Sequence, residues 1–161
     1  MKTINQFSPI RISIDSTEMA VRKALKELLD GLAPLDLDIE EMGTVELVMA
    51  EALNNIVEHA YPEGTAAGMI KIICKHALDG LHLTVMDNGR SMPNGQTPVG
   101  STIDIDVDLQ DIPEGGFGWL LIKGLAKEVH YQRRSWQNML QFRLAVATSP
   151  PDPTCPEHAN I

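Results

Sequence analysis

The stretch Ala50-Glu51-Ala52-Leu53-Asn54-Asn55-Ile56-Val57-Glu58-His59-Ala60-Tyr61-Pro62 decides the fold through its spacing. Ala52, Leu53 and Ile56 continue an apolar stripe begun by Met42, Val45 and Met49, which predicts an amphipathic helix ending near His59. Asp38 followed by Glu41 supplies its capping-box start, and Tyr61-Pro62-Glu63-Gly64 is a turn. Glu51 and Asn55 stand four residues apart, so their side chains share one helical face. A carboxylate beside an amide oxygen suits a Mg²⁺ ion and an activated hydroxyl or water. Taken alone, the same pair also describes an ordinary solvated face. His59 lies one turn further on, where it could touch a phosphate or simply end the helix.

Upstream, Ile10, Ile12 and Ile14 alternate with Arg11 and Ser13 as a half-buried strand does. Asp15 with Glu18 predicts a second capping box. The helix it starts has Val21, Ala24, Leu25, Leu28 and Leu29 as its apolar positions, with Gly31 and Pro34 as its stop. Downstream, Met69–His76 and Leu81–Met86 read as strands joined across Asp79-Gly80. A stretch rich in Gly, Pro, Ser and Asp runs from Asp87 to Gly118, longer than a usual connection. Helix returns from Gly118 to Val129, and a hairpin pairs Tyr131–Arg134 with Met139–Val146. The order β-α-α-β-β-loop-α-β-β predicts an α+β, two-layer sandwich: a mixed, mostly antiparallel sheet with helices on one face. The expected division is a domain over 1–147, with a lid at about 90–117, and a proline-rich tail over 148–161 that is expected to be disordered.

Three other segments invite chemistry. Asp87-Asn88-Gly89 follows a strand directly: the carboxylate could accept from an exocyclic amine and Gly89 could let a flat ring approach, or the three could be a plain Asn-Gly turn. Glu114-Gly115-Gly116-Phe117-Gly118-Trp119 precedes a helix, so its backbone N–H groups could hold an anion or merely give a flexible helix entry. Neither the P-loop pattern nor G-x-G-x-x-G is present. Asp104, Asp106 and Asp108 suggest calcium, but an EF-hand loop would need Gly and Glu where Leu109 and Gly115 stand. A negatively charged edge segment explains them better. The five histidines show no zinc spacing, and Cys74 and Cys155 make no disulfide framework.

Composition narrows the partners. Against 13 basic residues stand 22 acidic ones, a formal charge of -9, which disfavours nucleic acid and anionic membrane and favours a basic face on a partner protein. No apolar run reaches the roughly 20 residues of a membrane helix, and the N-terminus lacks the apolar stretch of a signal peptide. The expected location is a reducing cytoplasm.

In their order, the segments AEALNNIVEHAYP (50–62), VMDNGRSMP (85–93) and EGGFGWLLIKGLAKEVHY (114–131) resemble the N-box and two glycine boxes of the GHKL-type, or Bergerat-fold, ATP-binding superfamily. That superfamily includes gyrase, mismatch-repair ATPases and histidine kinases. The resemblance is nearest to the anti-sigma-factor serine/threonine kinases of bacterial partner-switching systems. It spans roughly residues 10 to 146 and implies ATP and Mg²⁺ as cofactors. Glu51 would be the general base and Asn55 the Mg²⁺ ligand, Asp87 would take the adenine amine with Gly89 flanking the base, and Asn138 would lie near the adenine side. The N–H groups around Gly115, Gly116 and Gly118 would hold phosphates, Phe117 and Trp119 would shape the lid, and Arg90 and Lys123 are candidate phosphate cations. Ser91 stands where the first glycine box often has a second Gly, a departure shared with the D-x-G-R form of the serine-kinase branch.

The partners so implied are a sigma factor and a small antagonist (anti-anti-sigma) protein. A homodimer is also expected, because one sheet face has no helices to cover it. The competing reading is a non-catalytic ATP-binding module that regulates a partner. A histidine kinase would need a phosphoacceptor hairpin upstream, and about 37 residues before the second helix are expected to leave no room for one.

Overall fold

A computed structural model describes residues 7–63, 66–92 and 116–146. The segments 104–114 and 148–161, Glu114, Gly115, the side chain of Phe117 and most of the expected lid lie outside the described residues. Five strands, β1 (Ile10–Asp15), β2 (Met69–Ala77), β3 (Gly80–Asp87), β4 (Lys127–Arg134) and β5 (Gln137–Leu144), form one sheet in the order β1-β2-β3-β5-β4. The mostly antiparallel sheet expected from the sequence is antiparallel at every pairing. Helices α1 (Glu18–Leu32), α2 (Ile39–Asn55) and α3 (Gly116–Leu125) pack on one face, giving the α+β two-layer sandwich.

Alternation along the strands explains the layering. Ile70, Ile72, Cys74, Leu83, Val85, Leu140 and Phe142 point into the core and meet Val21, Ala24 and Leu28 of α1 and Val45, Met49 and Leu53 of α2. Burial pushes the Cys74 thiol up to about 12, so it is an inert packing group. The opposite face carries Lys71, Lys75, Thr84, Gln141 and other more exposed residues. Among the described residues, no helix is long and apolar enough to cross a membrane.

Helix α2 begins with the capping box that the sequence predicts: Glu41 N donates to Asp38 Oδ1 at 2.8 Å, and Asp38 N to Glu41 Oε2 at 3.0 Å. The start of α1 is different. Asp15 is needed in the β1 ladder opposite Met69, so the cap passes to Thr17, whose Oγ1 accepts from Ala20 N at 3.2 Å. Nor does Gly31 stop α1; it lies inside the helix, where a Cβ would come within 2.9 Å of Ile10 Cδ1, and Pro34 shapes the 3₁₀ turn beyond it. The β2–β3 turn is Leu78-Asp79 and Gly80 opens β3, one residue away from the expected Asp-Gly connection.

Helix α3 starts at Gly116, ends at Leu125 and does not reach Val129. Val129 and Tyr131 alternate on the core side of β4, and that burial outweighs helix continuation. The final hairpin accordingly pairs Lys127–Arg134 with Gln137–Leu144, with a bulge between Lys127 and His130.

Candidate functional site

Glu51 and Asn55 lie in the last turn of α2, Glu51 partly buried and Asn55 only 9% exposed. Asn55 Nδ2 is buried and has no hydrogen-bond partner within the structure, an expensive condition that a ligand or water would relieve. Both side chains converge on Gly118 of α3. A Cβ at Gly118 would press on Glu51 Oε2 and stand 3.5 Å from Asn55 Nδ2. The missing side chain therefore lets α3 approach α2 closely enough for the Glu51 carboxylate to abut its backbone, next to the unsatisfied Asn55 amide.

Beyond Asn55 the chain widens into a π-helical turn, Ile56–Ala60, closed by Tyr61 N donating to Ile56 O at 3.2 Å. Such turns concentrate at functional sites. This one sends the Ala60 carbonyl to Arg90 N at 2.9 Å, while Tyr61 Oη accepts from Asn88 N at 2.9 Å. The end of α2 is thus tied to the Asp87–Arg90 loop. The approach is close: a Cβ on Gly89 would meet Ala60 O at 2.5 Å and Ala60 C at 2.8 Å, and both are backbone atoms that cannot swing away. Gly89→Ala is expected to lower stability by about 2 kcal/mol, within the usual range for overpacking a tight site. A thermal melt should show the loss, and an unchanged Tm would mean the loop is free of Ala60.

Asp87, 5% exposed, ends β3 opposite Asn138 of β5. Its Oδ1 accepts from Gly89 N and from Asn138 Nδ2, each at 2.8 Å. Asn138, 3% exposed, also donates to Arg90 O at 2.8 Å and Gly89 O at 3.3 Å. Its Oδ1 accepts from Tyr131 Oη and Arg133 Nη1, both at 2.7 Å. Arg133 Nη1 reaches Gly89 O at 2.9 Å, and Tyr131 Oη accepts from Met92 N at 2.9 Å. Asn138 is therefore the strut behind Asp87, and its polar atoms are spent on the protein. Burial raises the Asp87 carboxyl above its ordinary value, against the opposing pull of the Asn138 and Gly89 hydrogen bonds and the Arg133 charge.

The other sequence candidates fall out separately. Trp119 is buried at 5% exposure, Lys123 is partly buried, and Arg90 and Ser91 are exposed. His59 has a largely exposed side chain, 3.8 Å from Glu58 Oε2. Ala60, Tyr61, Tyr131 and Arg133, which motif spacing does not single out, complete the arrangement. Tyr131 and Arg133 do carry a signal, since they alternate with Val129 on one side of β4. No cluster of three or more His, Cys, Asp or Glu among the described residues could hold a metal by itself. A site offering one carboxylate and one amide fits Mg²⁺, which keeps waters and takes its remaining oxygens from phosphates.

The histidine kinase-like ATPase domain family matches residues 14–144, an interval that contains both halves of this arrangement. The chain belongs to that family. Within it, the serine-protein kinase RsbW of Bacillus cereus strain AH187 is 37% identical over 108 residues, covering 66% of this chain and 64% of the relative. RsbW of Halalkalibacterium halodurans is 34% identical over 100 residues, covering 61% and 57%. The matched region thus spans less than two thirds of these relatives' length. Among solved structures, the RsbU and RsbW domains of Rv1364c from Mycobacterium tuberculosis superpose with a TM-score of 0.60 at 19% identity, covering 86% of this chain and 32% of that one. That likeness is one of fold.

Proposed function

We propose that this histidine kinase-like ATPase domain is an ATP-dependent protein serine/threonine kinase that phosphorylates a small antagonist protein and sequesters a sigma factor. The observation that carries the reading is the convergence of the Glu51 carboxylate and the unpartnered Asn55 amide on Gly118 at the start of α3. The similarity to serine-protein kinases named RsbW supports the same choice.

In this reading the substrate hydroxyl oxygen bonds to the γ-phosphorus as the bond from that phosphorus to the β–γ bridging oxygen breaks, and ADP leaves. Glu51 receives the hydroxyl proton. Asn55 would hold Mg²⁺ through its amide oxygen, and the ion would neutralise phosphate charge. Asp87 accepts from the adenine amine with Gly89 flanking the base, and N–H groups around Gly115, Gly116 and Gly118 take phosphate oxygens. Phosphoryl transfer asks mainly for alignment and charge neutralisation, which these groups supply. Arg90, Lys123 and His59 are the outer candidates for phosphate contact, and Phe117 and Trp119 for shaping the cover. Incubation with Mg-ATP and candidate antagonist proteins is expected to place phosphate on a serine or threonine of one of them. If none is modified while ATP binds and changes partner affinity, the domain is a non-catalytic interaction module, the reading that exposed Ser91 in the glycine box favours.

The raised Asp87 carboxyl has two consequences with a definite sign. Between its unfolded and folded values the native state holds the extra proton, so this group's contribution to stability falls as pH rises through that window. ATP binding runs the other way, because the protonated carboxyl loses an acceptor. Titration calorimetry should therefore show affinity dropping on acidification before ordinary surface carboxylates titrate. Asp87→Asn should weaken binding by about tenfold, a lost hydrogen bond to a charged group, and flatten that acid limb. A limb that persists in Asp87→Asn would assign it elsewhere.

A further inference from the structure

Arg133 of β4, Asn138 of β5 and Asp87 of β3 are paired in one row across the sheet. With strands about 4.8 Å apart, Arg133 stands roughly 10 Å from Asp87 along that row, a gap its side chain can largely span. Arg133 is half-buried, and its Nη1 is held by Gly89 O at 2.9 Å and Asn138 Oδ1 at 2.7 Å. Gly89 and Asn138, the two residues it grips, are also the two donors to Asp87 Oδ1. Asp87 therefore spends one oxygen on the protein and keeps Oδ2 for a ligand.

Which ligand group Oδ2 takes depends on its proton. An ionised carboxylate can only accept and suits an exocyclic amine, whereas a protonated carboxyl donates and suits a carbonyl. Purine bases differ in this respect at position 6, where one class carries an amine and the other an oxygen. Burial pushes Asp87 toward the protonated form, and the Asn138 and Gly89 hydrogen bonds and the Arg133 charge pull it back. All three of those pulls involve Arg133, directly or through its grip. The other groups facing the carboxyl bring no charge to it. Burial keeps the Tyr61 phenol at the end of α2 protonated, and the Tyr131 phenol of β4 donates to Asn138 Oδ1. Opposite on β2 stands the apolar Ile70, while the Arg90 side chain is exposed and Glu51 lies against Gly118.

We propose that Arg133 sets the purine selectivity of this site: by gripping Gly89 and Asn138 and placing a positive charge behind Asp87, it makes Oδ2 an acceptor, so that 6-aminopurine nucleotides are taken and 6-oxopurine nucleotides refused. The proposal rests on the nucleotide reading above and adds to it the residue that decides which base the cleft accepts. Arg133 acts through Asp87 and is a positioning residue.

The test is titration calorimetry of the full chain with Mg-ATP and with Mg-ITP, whose base carries a 6-oxo group, from mildly acidic to neutral pH. Carboxyl-carbon NMR of the nucleotide-free protein follows the Asp87 titration beside it. The wild type is expected to prefer ATP near neutrality and to lose that preference on acidification, as Asp87 gains its proton. Arg133→Gln drops the charge, so the Asp87 titration and the loss of preference should both move to higher pH. At a pH between the two titrations its preference for ATP over ITP should be about tenfold below wild type, the worth of one hydrogen bond to a charged group. Arg133→Lys keeps the charge without the planar fork and should fall between the two. A purely structural arginine would lower Tm in both variants and leave both pH profiles in place. The wild-type profile decides even where Arg133→Gln does not fold. An ATP preference independent of pH, an Asp87 titration unmoved in Arg133→Gln, or a lysine variant indistinguishable from the glutamine one would overturn the proposal while the nucleotide reading stands. A wild type that binds neither nucleotide would overturn both.

Discussion

In the proposed kinase reading, Glu51→Gln is expected to reduce phosphoryl transfer to an antagonist protein by roughly 10²- to 10⁴-fold, the contribution of a well-placed general base, with ATP affinity nearly unchanged. The substitution keeps the shape of a side chain whose Oε2 already abuts Gly118, so α2 and α3 have no reason to move apart. What changes is proton capacity, because a carboxamide cannot take the proton of the attacking hydroxyl. Single-turnover transfer and titration calorimetry on the same preparation separate the two effects. Transfer at the wild-type rate would remove Glu51 from the base position. Loss of binding together with transfer would instead make Glu51 part of the nucleotide or metal cradle, alongside the unsatisfied Asn55 amide.

The pairing of Glu51 with Asn55 is legible in the sequence because i and i+4 spacing on a helix is a geometric fact that neighbours do not alter. The strands are legible for the same reason: Ile10, Ile12 and Ile14, and Ile70, Ile72 and Cys74, alternate in a way only a one-sided sheet explains. Boundaries are less legible wherever two local signals compete. Asp15 and Thr17 could both cap α1, and only the ladder partner Met69 decides between them. Val129 continues a helical pattern and a strand pattern equally well, and burial beside Tyr131 decides. The widened turn at Ile56–Ala60 carries no residue signature at all; its Ala60 carbonyl meets Arg90 N, 30 residues on, a contact no local pattern announces. The hairpin position of Asn138 in the sequence is enough to place it on the last strand, and the structure sets it opposite Asp87. Its role as a strut depends on Tyr131, Arg133 and three backbone carbonyl or carboxylate oxygens, which no single stretch of sequence brings together.

Asn138→Ala is accordingly expected to damage folding and binding at once. The change leaves Asp87 Oδ1 with Gly89 N alone of its two donors, and deprives Gly89 O of one donor and Arg90 O of its Asn138 partner. It also strips Tyr131 Oη and Arg133 Nη1 of their shared acceptor. At about 1–3 kcal/mol for each buried group left unsatisfied, and with partial relaxation, a loss of about 3 kcal/mol is the expected sum. For a domain of this size that lowers Tm by roughly 6–12 °C. ATP affinity should fall about tenfold or more, because the Asp87 carboxylate and the Gly89 loop are no longer held in register. Asn138→Asp should be worse than alanine, since it turns donors toward Asp87 Oδ1 and two carbonyls into a second buried carboxylate. Calorimetric melting and nucleotide titration of both variants discriminate sharply between a strut and a ligand contact. A strut loses Tm and affinity together; an Asn138 that touched the adenine ring would lose affinity while the melting temperature stayed where it was.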